Sequence, residues 1–547
     1  MPLKKLNLLV ATATVICVGA LTSLAYLKTA KVRAYSLTES AKFVPDEAMM
    51  ATFISPTPEA LAHLKQFGTP EARTWIAQSL TAFKQKSLAD TGLNFDRDLQ
   101  SWMGGVMVAL LPTQDAKEPE DFDLLMVVGI KNPIKAWHFA RQFNDQPNIK
   151  RQQRDYKGVE IVEYTESKGR RYNVAVLDSH IIVAAAPDAI ERAIDTALGE
   201  ASLANLTGTN QAFLNSVDVP HPIATLYIAE YPSFVQQITS DFSGSSQLSV
   251  QVLSHIKPME SVVLGIGVDR VGIRLKATTK LNDRATRQSD PPQLDPLVTR
   301  FPTDTIGLIH TQGIERIWSE ILTLAEDNSD LRRIVRQVRR GLNAINLDAD
   351  EDVFGWMDGE FALGLIASDE GVLAPLGLGG VLMLETSDRL SAEKMLAQLD
   401  SVVAGSNPPV NVEQRAIAGV EVTEWKDPQQ GTLFGHGWLQ SNLVFIAFGG
   451  PVVEAITSEP QLPLPANPRY QNVTELLPQP NHSYVYLDVE ELVTWATGYL
   501  IAAPAIAVQP NALALVNSVQ GLGVSATRRD RETARVEMIL TLKAKRN

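Results

Sequence analysis

Hydrophobic and polar positions along the chain follow two different periods. In Pro70–Leu88 apolar side chains recur at helical spacing, with Trp75 and Phe83 among them, and the proline that opens the segment suits a first helical turn. Short runs rich in β-branched residues, including Asp121–Ile130 and His180–Ala186, predict strands. Because several such runs follow one another without an intervening helix, the pattern predicts an α+β fold whose sheet is mainly antiparallel.

The second half of the chain repeats the motifs of the first half in the same order. "DLQSWMGGVMVAL" at Asp98–Leu110 corresponds to "DVFGWMDGEFALG" at Asp352–Gly364, and the helix caps predicted at Asn132 and Asp388 also correspond. A polar stretch with paired prolines between the halves is typical of a linker. We therefore predict two tandem copies of one sheet-plus-helices unit, with these bounds: a signal-anchor segment at 1–33, a spacer at 34–43, repeat 1 at 44–280, a linker at 281–299 and repeat 2 at 300–547.

The motifs shared by the two copies are interpreted as scaffold. In each copy we expect the aspartate to cap a short helix, the tryptophan to lie buried beneath it, and the next glycine to end the helix in left-handed backbone. The glycines of "GVEIVEY" and "GVEVTEW" belong to the same pattern. The structural repeat signature comprises Asp98, Trp102, Gly105, Asp352, Trp356, Gly359, Gly158 and Gly419.

One stretch raises the alternative of a calcium site. In "NLDADED" at Asn346–Asp352 the aspartates alternate as they do at the start of a calcium-binding loop. That loop also requires glycine at its sixth position and glutamate at its twelfth, where this chain has Val353 and Gly359. The motif therefore fails, and no metal site is predicted.

Composition and charge narrow the class of protein. The 547 residues, 45% of them hydrophobic and 20% charged, fit a folded protein of two or more domains. A formal net charge of −13 disfavours contact with phosphate backbones, so no nucleic-acid partner is predicted. The single cysteine, Cys17, rules out an intramolecular disulfide and a multi-thiolate metal site.

The N-terminal segment predicts a membrane anchor. Lys4 and Lys5 precede Leu6–Leu27, which contains no charged residue. A spanning helix needs about 20 apolar residues and a signal-peptide core about 7–15, so the length favours an uncleaved signal-anchor at residues 6–27. The small residues at Ser23–Ala25 keep a cleaved signal peptide open as the alternative. We expect the N-terminus inside and the body outside.

No catalytic or cofactor motif is complete. "SAEK" at Ser391–Lys394 matches the SxxK pattern of penicillin-binding enzymes, but the companion motifs are missing. The histidines form no HExxH pattern, and His221 and His482, which correspond between the copies, are expected at turns before strands. Glycine alternations such as Gly377–Gly380 fall short of a nucleotide-binding motif. We predict no catalytic residue, no cofactor and no metal.

Several motifs together resemble a known family. The N-terminal anchor, the "VP" at Val44, "WMDGEFA" at Trp356–Ala362 and "GVEV" at Gly419 are similar to a family of uncharacterised, largely cyanobacterial proteins, domain of unknown function 3352. The first copy departs from this pattern, with Val106 where the second copy has Glu360. The resemblance implies a single-pass bacterial protein of the plasma or thylakoid membrane with its body on the periplasmic or lumenal side. It implies no activity, ligand or catalytic residue.

Three hypotheses of function follow. The first is a non-enzymatic, membrane-tethered body that binds an unidentified protein partner or assists an assembly, because every catalytic template fails and duplication builds surface without new chemistry. The second is a carrier or sensor of an apolar ligand, such as a lipid or pigment, held between sheet and helices in an enclosed cavity. The third is an envelope hydrolase with an unrecognised site, which requires polar side chains from several elements in one cleft.

Overall fold

The computed structural model describes most of the chain after residue 35. The predicted anchor at Leu6–Leu27, Cys17, His482 and most of the predicted linker lie outside the described residues. The described ranges are 36–55, 57–88, 94–113, 122–144, 150–165, 171–205, 217–236, 257–282, 297–326, 328–368, 373, 377–406, 410–478, 483–500, 510–528 and 532–545.

Twenty strands within these ranges form a single antiparallel sheet. The first ten are β1 Met50–Ile54, β2 Met103–Pro112, β3 Phe122–Ile130, β4 Lys150–Tyr156, β5 Val159–Thr165, β6 Arg171–Leu177, β7 His180–Ala184, β8 Pro222–Ile228, β9 Met259–Asp269 and β10 Gly272–Leu281. The other ten are β11 Gly307–Gln312, β12 Glu360–Ala367, β13 Leu378–Glu385, β14 Asn411–Ile417, β15 Val420–Asp427, β16 Gly431–Trp438, β17 Leu443–Phe448, β18 Ser483–Asp488, β19 Val519–Arg528 and β20 Thr533–Leu542.

The strand pairing corrects the predicted fold. The sheet runs in the order β4-β5-β6-β7-β3-β2-β1-β8-β9-β10-β20-β19-β18-β11-β12-β13-β17-β16-β15-β14. Two tandem α+β units with separate sheets are therefore the wrong description, because β10 pairs with β20 and joins both halves in one sheet. The order from β4 to β10 nevertheless recurs from β14 to β20, while the exact repeat bounds stay a prediction.

Charged side chains line the junction between the halves. Lys276 of β10 lies opposite Glu537 of β20 in the register, with 3.8 Å between Nζ and Oε1. Arg274 forms ion pairs with Asp269 at 2.9 Å and with Glu537 at 3.6 Å. Burial lowers the pKa of Lys276. These groups lie on the covered face of the sheet, where unpaired charges would be costly, so they fix the register of the β10–β20 pair.

Helices cover both faces of the sheet toward its two ends. Trp102 packs against Phe139 at one end with ring centroids 5.5 Å apart, and Trp356 lies in the same core as Met395 at the other. The α-helices in the described ranges are α1 Leu37–Ala41, α2 Pro58–Leu64, α3 Pro70–Leu88, α4 Pro133–Asn144, α5 Pro187–Ala197, α6 Ile314–Glu326, α7 Ser329–Asn343, α8 Arg389–Ala404, α9 Gly450–Thr457, α10 Pro468–Thr474, α11 Val489–Leu500 and α12 Pro510–Val516.

Local signals in the sequence are confirmed where they fix the ends of helices. The helix predicted at Pro70–Leu88 has those bounds. Asn132 Oδ1 accepts a hydrogen bond from the backbone N–H of Lys135 at 3.1 Å. Asp388 Oδ1 accepts one from the backbone N–H of Ser391 at 3.0 Å. Both predicted caps satisfy an N–H group that has no partner within the helix.

The glycines of the two "GVE" motifs occupy tight hairpin turns. Lys157 and Gly158 have φ values of 55° and 84° between β4 and β5. Ala418 and Gly419 have φ values of 49° and 85° between β14 and β15. Positive φ at both central residues defines a type I′ turn, whose twist matches that of the flanking strands. Glycine recurs at this place because its backbone adopts positive φ without strain.

The predicted membrane location is also corrected. Among the helices of the described ranges, none is long and apolar enough to cross a membrane. This finding contradicts the single-pass plasma or thylakoid membrane protein expected from the sequence. The segment at Leu6–Leu27, on which that expectation was based, is not among the described residues.

Candidate functional site

The central strands of the sheet carry aliphatic side chains on one face and small or polar side chains on the other. In β9, Leu264 and Ile266 point to the first face, whereas Gly265 and Gly267 belong to the second. We call the first the aliphatic face and define it by a row of residues, one per strand. The row consists of Ile54, Ala224, Ile266, Leu275, Met538, Val524, Val485, Ile309 and Leu363.

Each residue of this row is the direct register partner of the next. Directly opposed residues in antiparallel strands point to the same side, with Cβ atoms about 4.5–5.5 Å apart, so the side chains form a continuous band. The row crosses nine strands, from β1 to β12. At about 4.8 Å between neighbouring strands it extends over about 38 Å. No residue in it is polar or charged.

All nine side chains of the row are at least partly exposed, and the register positions beyond both of its ends lead to buried side chains. Beyond Ile54 the register continues through Val106 to Val128, which is 0% exposed beneath α4. Within the row, Ile54 is 45% exposed, Ile309 42% and Leu363 40%. Contiguous apolar surface of this kind is uncommon on soluble proteins and commonly marks a binding site.

The opposite face of the same strands is closed by the chain itself. A Cβ added to Gly523 would lie 2.2 Å from Cγ1 of Val473 in α10. A Cβ added to Gly267 would lie 2.2 Å from the carbonyl oxygen of Pro220. These glycines let other segments pack directly onto the backbone of the strands. A ligand on the central strands would therefore meet only the aliphatic face.

A second apolar surface lies on α7. An open groove of about 460 Å³ runs between this helix and the π-helical turn Ala349–Phe354. Ile334, which is 48% exposed, lies in its wall. The enclosed cavity expected for a ligand carrier differs from this groove, which is open and lies on a helix surface. The groove is lined by Ile334, Gln337, Val338, Gly341, Leu342, Val353 and Phe354.

The repeat-signature aspartates and tryptophans build a matching turn in the two halves. Trp102 Nε1 donates to the carbonyl oxygen of Asp98 at 2.9 Å, and Trp356 Nε1 donates to that of Asp352 at 3.0 Å. The helix caps, however, are Asn94 and Asp348. Asp98 and Asp352 instead accept the backbone N–H of those caps, at 2.8 Å and 2.7 Å. The carboxylates thus complete a reciprocal cap, and both tryptophans are buried.

The signature glycines Gly105 and Gly359 do not end helices in left-handed backbone as expected. Gly105 lies in β2, where the register with β3 shifts between Met103 and Val106. Gly359 immediately precedes β12, and a Cβ there would lie 2.3 Å from the carbonyl oxygen of Glu385. A bulge and a close backbone approach, rather than positive φ, explain these two positions.

The acidic stretch Asn346–Asp352 is used within the fold. Asp348 Oδ1 caps the π-helical turn through the backbone N–H groups of Asp350 and Glu351, and these hydrogen bonds lower its pKa. Asp350 accepts from Trp318 Nε1 at 2.7 Å and pairs with Arg339 at 2.6 Å. Within the described residues no group of three or more candidate ligands is placed to hold a metal ion.

Two buried histidine pairs were not singled out from the sequence. Ser40 Oγ lies 3.3 Å from His180 Nε2, and burial lowers the pKa of His180 to about 4. His310 is hydrogen-bonded to Glu360, and Tyr484 packs edge-on against it with ring centroids 5.1 Å apart. Ser40 and His180 are at most 1% exposed and His310 2%, so substrates have no access. We interpret both pairs as parts of the core.

The other sequence candidates lie apart from these pairs. Ser391 of "SAEK" donates its hydroxyl hydrogen bond to Asp388 Oδ2 at 2.7 Å in the cap of α8. Asp388 also accepts the Ser391 backbone N–H, so the serine serves the helix end. His221 stacks on His63 with ring centroids 4.0 Å apart, just before β8. The structure does not bring Ser391, His221 and the buried pairs into one cleft.

Fold and surface together define a class: an antiparallel sheet of twenty strands with an open aliphatic face and no assembled catalytic cleft in the described residues. The chain belongs to the family described as protein of unknown function DUF3352, whose model matches residues 8–542. This confirms the resemblance at the level of the family, while the cyanobacterial source stays a prediction. No curated protein matches the chain.

Solved structures offer only distant likenesses. Crystal form III of TP0453 matches with a TM-score of 0.27 and 10% identity over 45% of this chain and 80% of that chain. Crystal form IV of TP0453 matches with a TM-score of 0.27 and 13% identity over 45% of this chain and 82% of that chain. Likenesses this low carry no argument about fold or function.

Proposed function

We propose that this protein is a non-enzymatic binding protein whose aliphatic face holds an extended apolar ligand, such as the hydrocarbon chain of a lipid. The observation that carries the proposal is the register-aligned row from Ile54 to Leu363, whose nine side chains are all apolar and at least partly exposed. This develops the hypothesis of an apolar-ligand carrier, with an open face in place of an enclosed cavity.

The chemistry of the row favours hydrocarbon over a polar ligand. Its side chains offer neither charge nor hydrogen-bonding group, so a polar ligand would lose contacts with water without replacement. A hydrocarbon chain gains roughly 25 cal/mol for each Å² of apolar surface that it and the protein remove from water. A band about 38 Å long, at about 4.8 Å per strand, suits an elongated occupant rather than a compact one.

Binding rather than catalysis is favoured by where the reactive side chains lie. Ser40 with His180, and His310 with Glu360, are enclosed in the core. Catalysis requires a nucleophile or base within hydrogen-bonding reach of substrate. The aliphatic face, by contrast, is open.

Native mass spectrometry of the full-length protein, purified gently from its own host, tests for a resident ligand. We expect a reproducible excess mass that disappears after extraction with organic solvent. A second assay adds diphenylhexatriene, an uncharged apolar rod that fluoresces in apolar surroundings. An unligated mass together with no fluorescence on addition of the rod would contradict the proposal.

Matched variants locate the site. Ile309→Glu and Leu363→Glu place charges in the most exposed part of the row, and we expect each to weaken binding of diphenylhexatriene at least tenfold. Ile134→Glu is the control, because Ile134 is 70% exposed on α4 and lies outside the row. Equal effects of all three changes would show that the rod binds nonspecifically. Circular dichroism establishes that each variant is folded.

A further inference from the structure

The groove on α7 has walls that are well fixed by the core beneath it. Trp318 of α6 stacks on Phe354 with ring centroids 4.2 Å apart. Leu331 and Val335 of α7 are buried in the same cluster. Two antiparallel helices and a π-helical turn therefore pack together beneath the groove. Ile334 and Val338 of α7 line the groove itself.

One side of α7 is strongly basic although the protein is acidic. Within 332–340 the sequence "RRIVRQVRR" holds five arginines, in a chain of formal net charge −13. Three of these arginines form hydrogen bonds or ion pairs with groups other than the backbone of α7, and these contacts explain why they are arginines. Arg332 donates to carbonyl oxygens at the end of α6, Arg333 pairs with Asp330 at 2.8 Å, and Arg339 pairs with Asp350 at 2.6 Å.

The other two arginines are exposed and hold no carboxylate. Arg336 Nε donates to the carbonyl oxygen of Arg332 at 3.2 Å, and Arg340 Nε donates to that of Arg336 at 3.1 Å. No ion pair joins either guanidinium to a carboxylate among the described residues. These hydrogen bonds hold each arginine along the helix while leaving most of its donors in solvent. They lie one helical turn apart, next to Gln337 in the groove wall.

We propose that this groove is the docking site for an amphipathic helix of a protein partner, with apolar side chains in the groove and acidic side chains on Arg336 and Arg340. Charge complementarity beside an apolar groove favours this occupant. Helix-in-groove recognition uses the same combination, with apolar anchors at i, i+3, i+4 and i+7. Carboxylates on one flank would pair with the two guanidiniums, which favour planar anionic groups.

The groove itself distinguishes this partner from a nucleic acid. Phosphate recognition requires basic groups but no apolar groove, and the lining here is aliphatic and aromatic except for Gln337. The site is also separate from the aliphatic face, since no residue of the row lines the groove. The two proposals therefore stand or fail independently.

Three model peptides test the proposal on the full-length protein by fluorescence anisotropy. The first is helical, with leucines on one face and glutamates along the flank. The second replaces the leucines with glutamines, and the third replaces the glutamates with lysines. We expect only the first peptide to bind, with an affinity that falls as salt screens the charges. Equal binding of the first two peptides would mean charge attraction alone and would overturn the docking site.

Variants of the protein separate the two components. We expect Arg336→Glu with Arg340→Glu to weaken binding of the first peptide at least tenfold and to create binding of the lysine peptide. Lys135→Glu with Lys394→Glu is the matched control, because both lysines are exposed on other helices and the change in net charge is the same. An equal loss in both double variants would contradict a local site.

The groove can also be filled without disturbing the core. A Cβ built on Gly341 meets no atom within 4 Å, so a side chain there projects into open space. Gly341→Leu should lower affinity at least tenfold by occupying the groove, whereas Gly341→Ala should change it little. Both changes introduce strong helix formers, which keeps α7 folded. Unaltered binding by Gly341→Leu would place the peptide elsewhere and refute the proposal.

Discussion

The two halves of the sheet share one strand order but differ in what they bury. In the first half Ser55 follows Ile54 of the aliphatic row, whereas in the second half His310 follows Ile309. The β1 and β2 strands contain no titratable residue, while β11 and β12 place His310 and Glu360 together in the core. The two halves therefore share their backbone pairing and their exposed aliphatic positions, while their interior polar groups differ.

Truncating the tryptophan of each repeat signature should lower the free energy of unfolding more than any other change, and by a similar amount in both halves. Trp102→Ala and Trp356→Ala each remove a buried ring and a hydrogen bond to the turn beneath it. We expect each to lower the free energy of unfolding by about 3–5 kcal/mol. Urea denaturation followed by tryptophan-independent circular dichroism measures this. A much smaller loss for one of them would break the equivalence of the two turns.

Breaking the buried pair should destabilise the second half alone. Glu360→Ala leaves His310 without its carboxylate in the core, and such changes cost about 3–5 kcal/mol. The double change His310→Leu with Glu360→Leu removes both polar groups and should cost much less. Urea denaturation of the three proteins gives the comparison. If the double variant is as unstable as Glu360→Ala, the pair is not the reason for the loss.

Acid should weaken the first half through His180. Burial lowers its folded pKa from 6.5 to about 4, so the folded state holds the imidazole neutral while the unfolded chain takes up a proton. The folded protein therefore has its full stability above pH 6.5. The free energy of unfolding falls as the pH is lowered from 6.5 toward about 4, because only the unfolded chain binds the proton over this range. At about 1.4 kcal/mol per pKa unit the loss is about 3 kcal/mol.

The second half offers the matched comparison for this prediction. Its corresponding residue is Asn442, which does not titrate. His180→Asn should therefore flatten the decline of stability between pH 6.5 and 4, whereas Asn442→Ala, which changes no titratable group, should leave that part of the profile in place. Urea denaturation at a series of pH values measures both. An unchanged slope in His180→Asn would exclude His180 as its source.

The smallest expected change in stability concerns α7, whose five arginines contrast with the one arginine and two lysines of α3. Gly341→Ala places a methyl group in open space within a helix interior. We expect the free energy of unfolding to rise by up to about 1 kcal/mol, because alanine loses less backbone entropy than glycine on helix formation. Thermal denaturation checks the sign. A decrease would mean that the glycine is required for packing that the open groove does not reveal.

Local elements could be predicted from the sequence because their signals are local. The caps at Asn132 and Asp388 and the helix Pro70–Leu88 follow from neighbouring residues. The pairing of β10 with β20 could not be predicted, because it joins strands far apart in the chain and any two antiparallel edges have similar hydrogen-bonding groups. This pairing turns the two predicted units into one sheet.

The candidate sites escaped prediction for related reasons. The aliphatic row depends on register across nine strands, so none of its residues stands out in its own segment. The pattern of α7 was visible, since Leu331, Val335, Val338 and Leu342 alternate with arginines at helical spacing. What the pattern could not show is the groove, because Val353 and Phe354 supply its other wall from a separate turn.

The ends of the sheet have a consequence for self-association. A lone half would leave β10 or β20 as a free edge, with backbone groups ready to pair with another molecule. Joining the halves consumes both edges and leaves β4 and β14 at the ends. These strands are exposed and carry charges such as Lys150, Arg151 and Glu413, which repel further strands. Among the described residues the sheet therefore ends at strands whose charges oppose further pairing, which protects the molecule from polymerising through these edges.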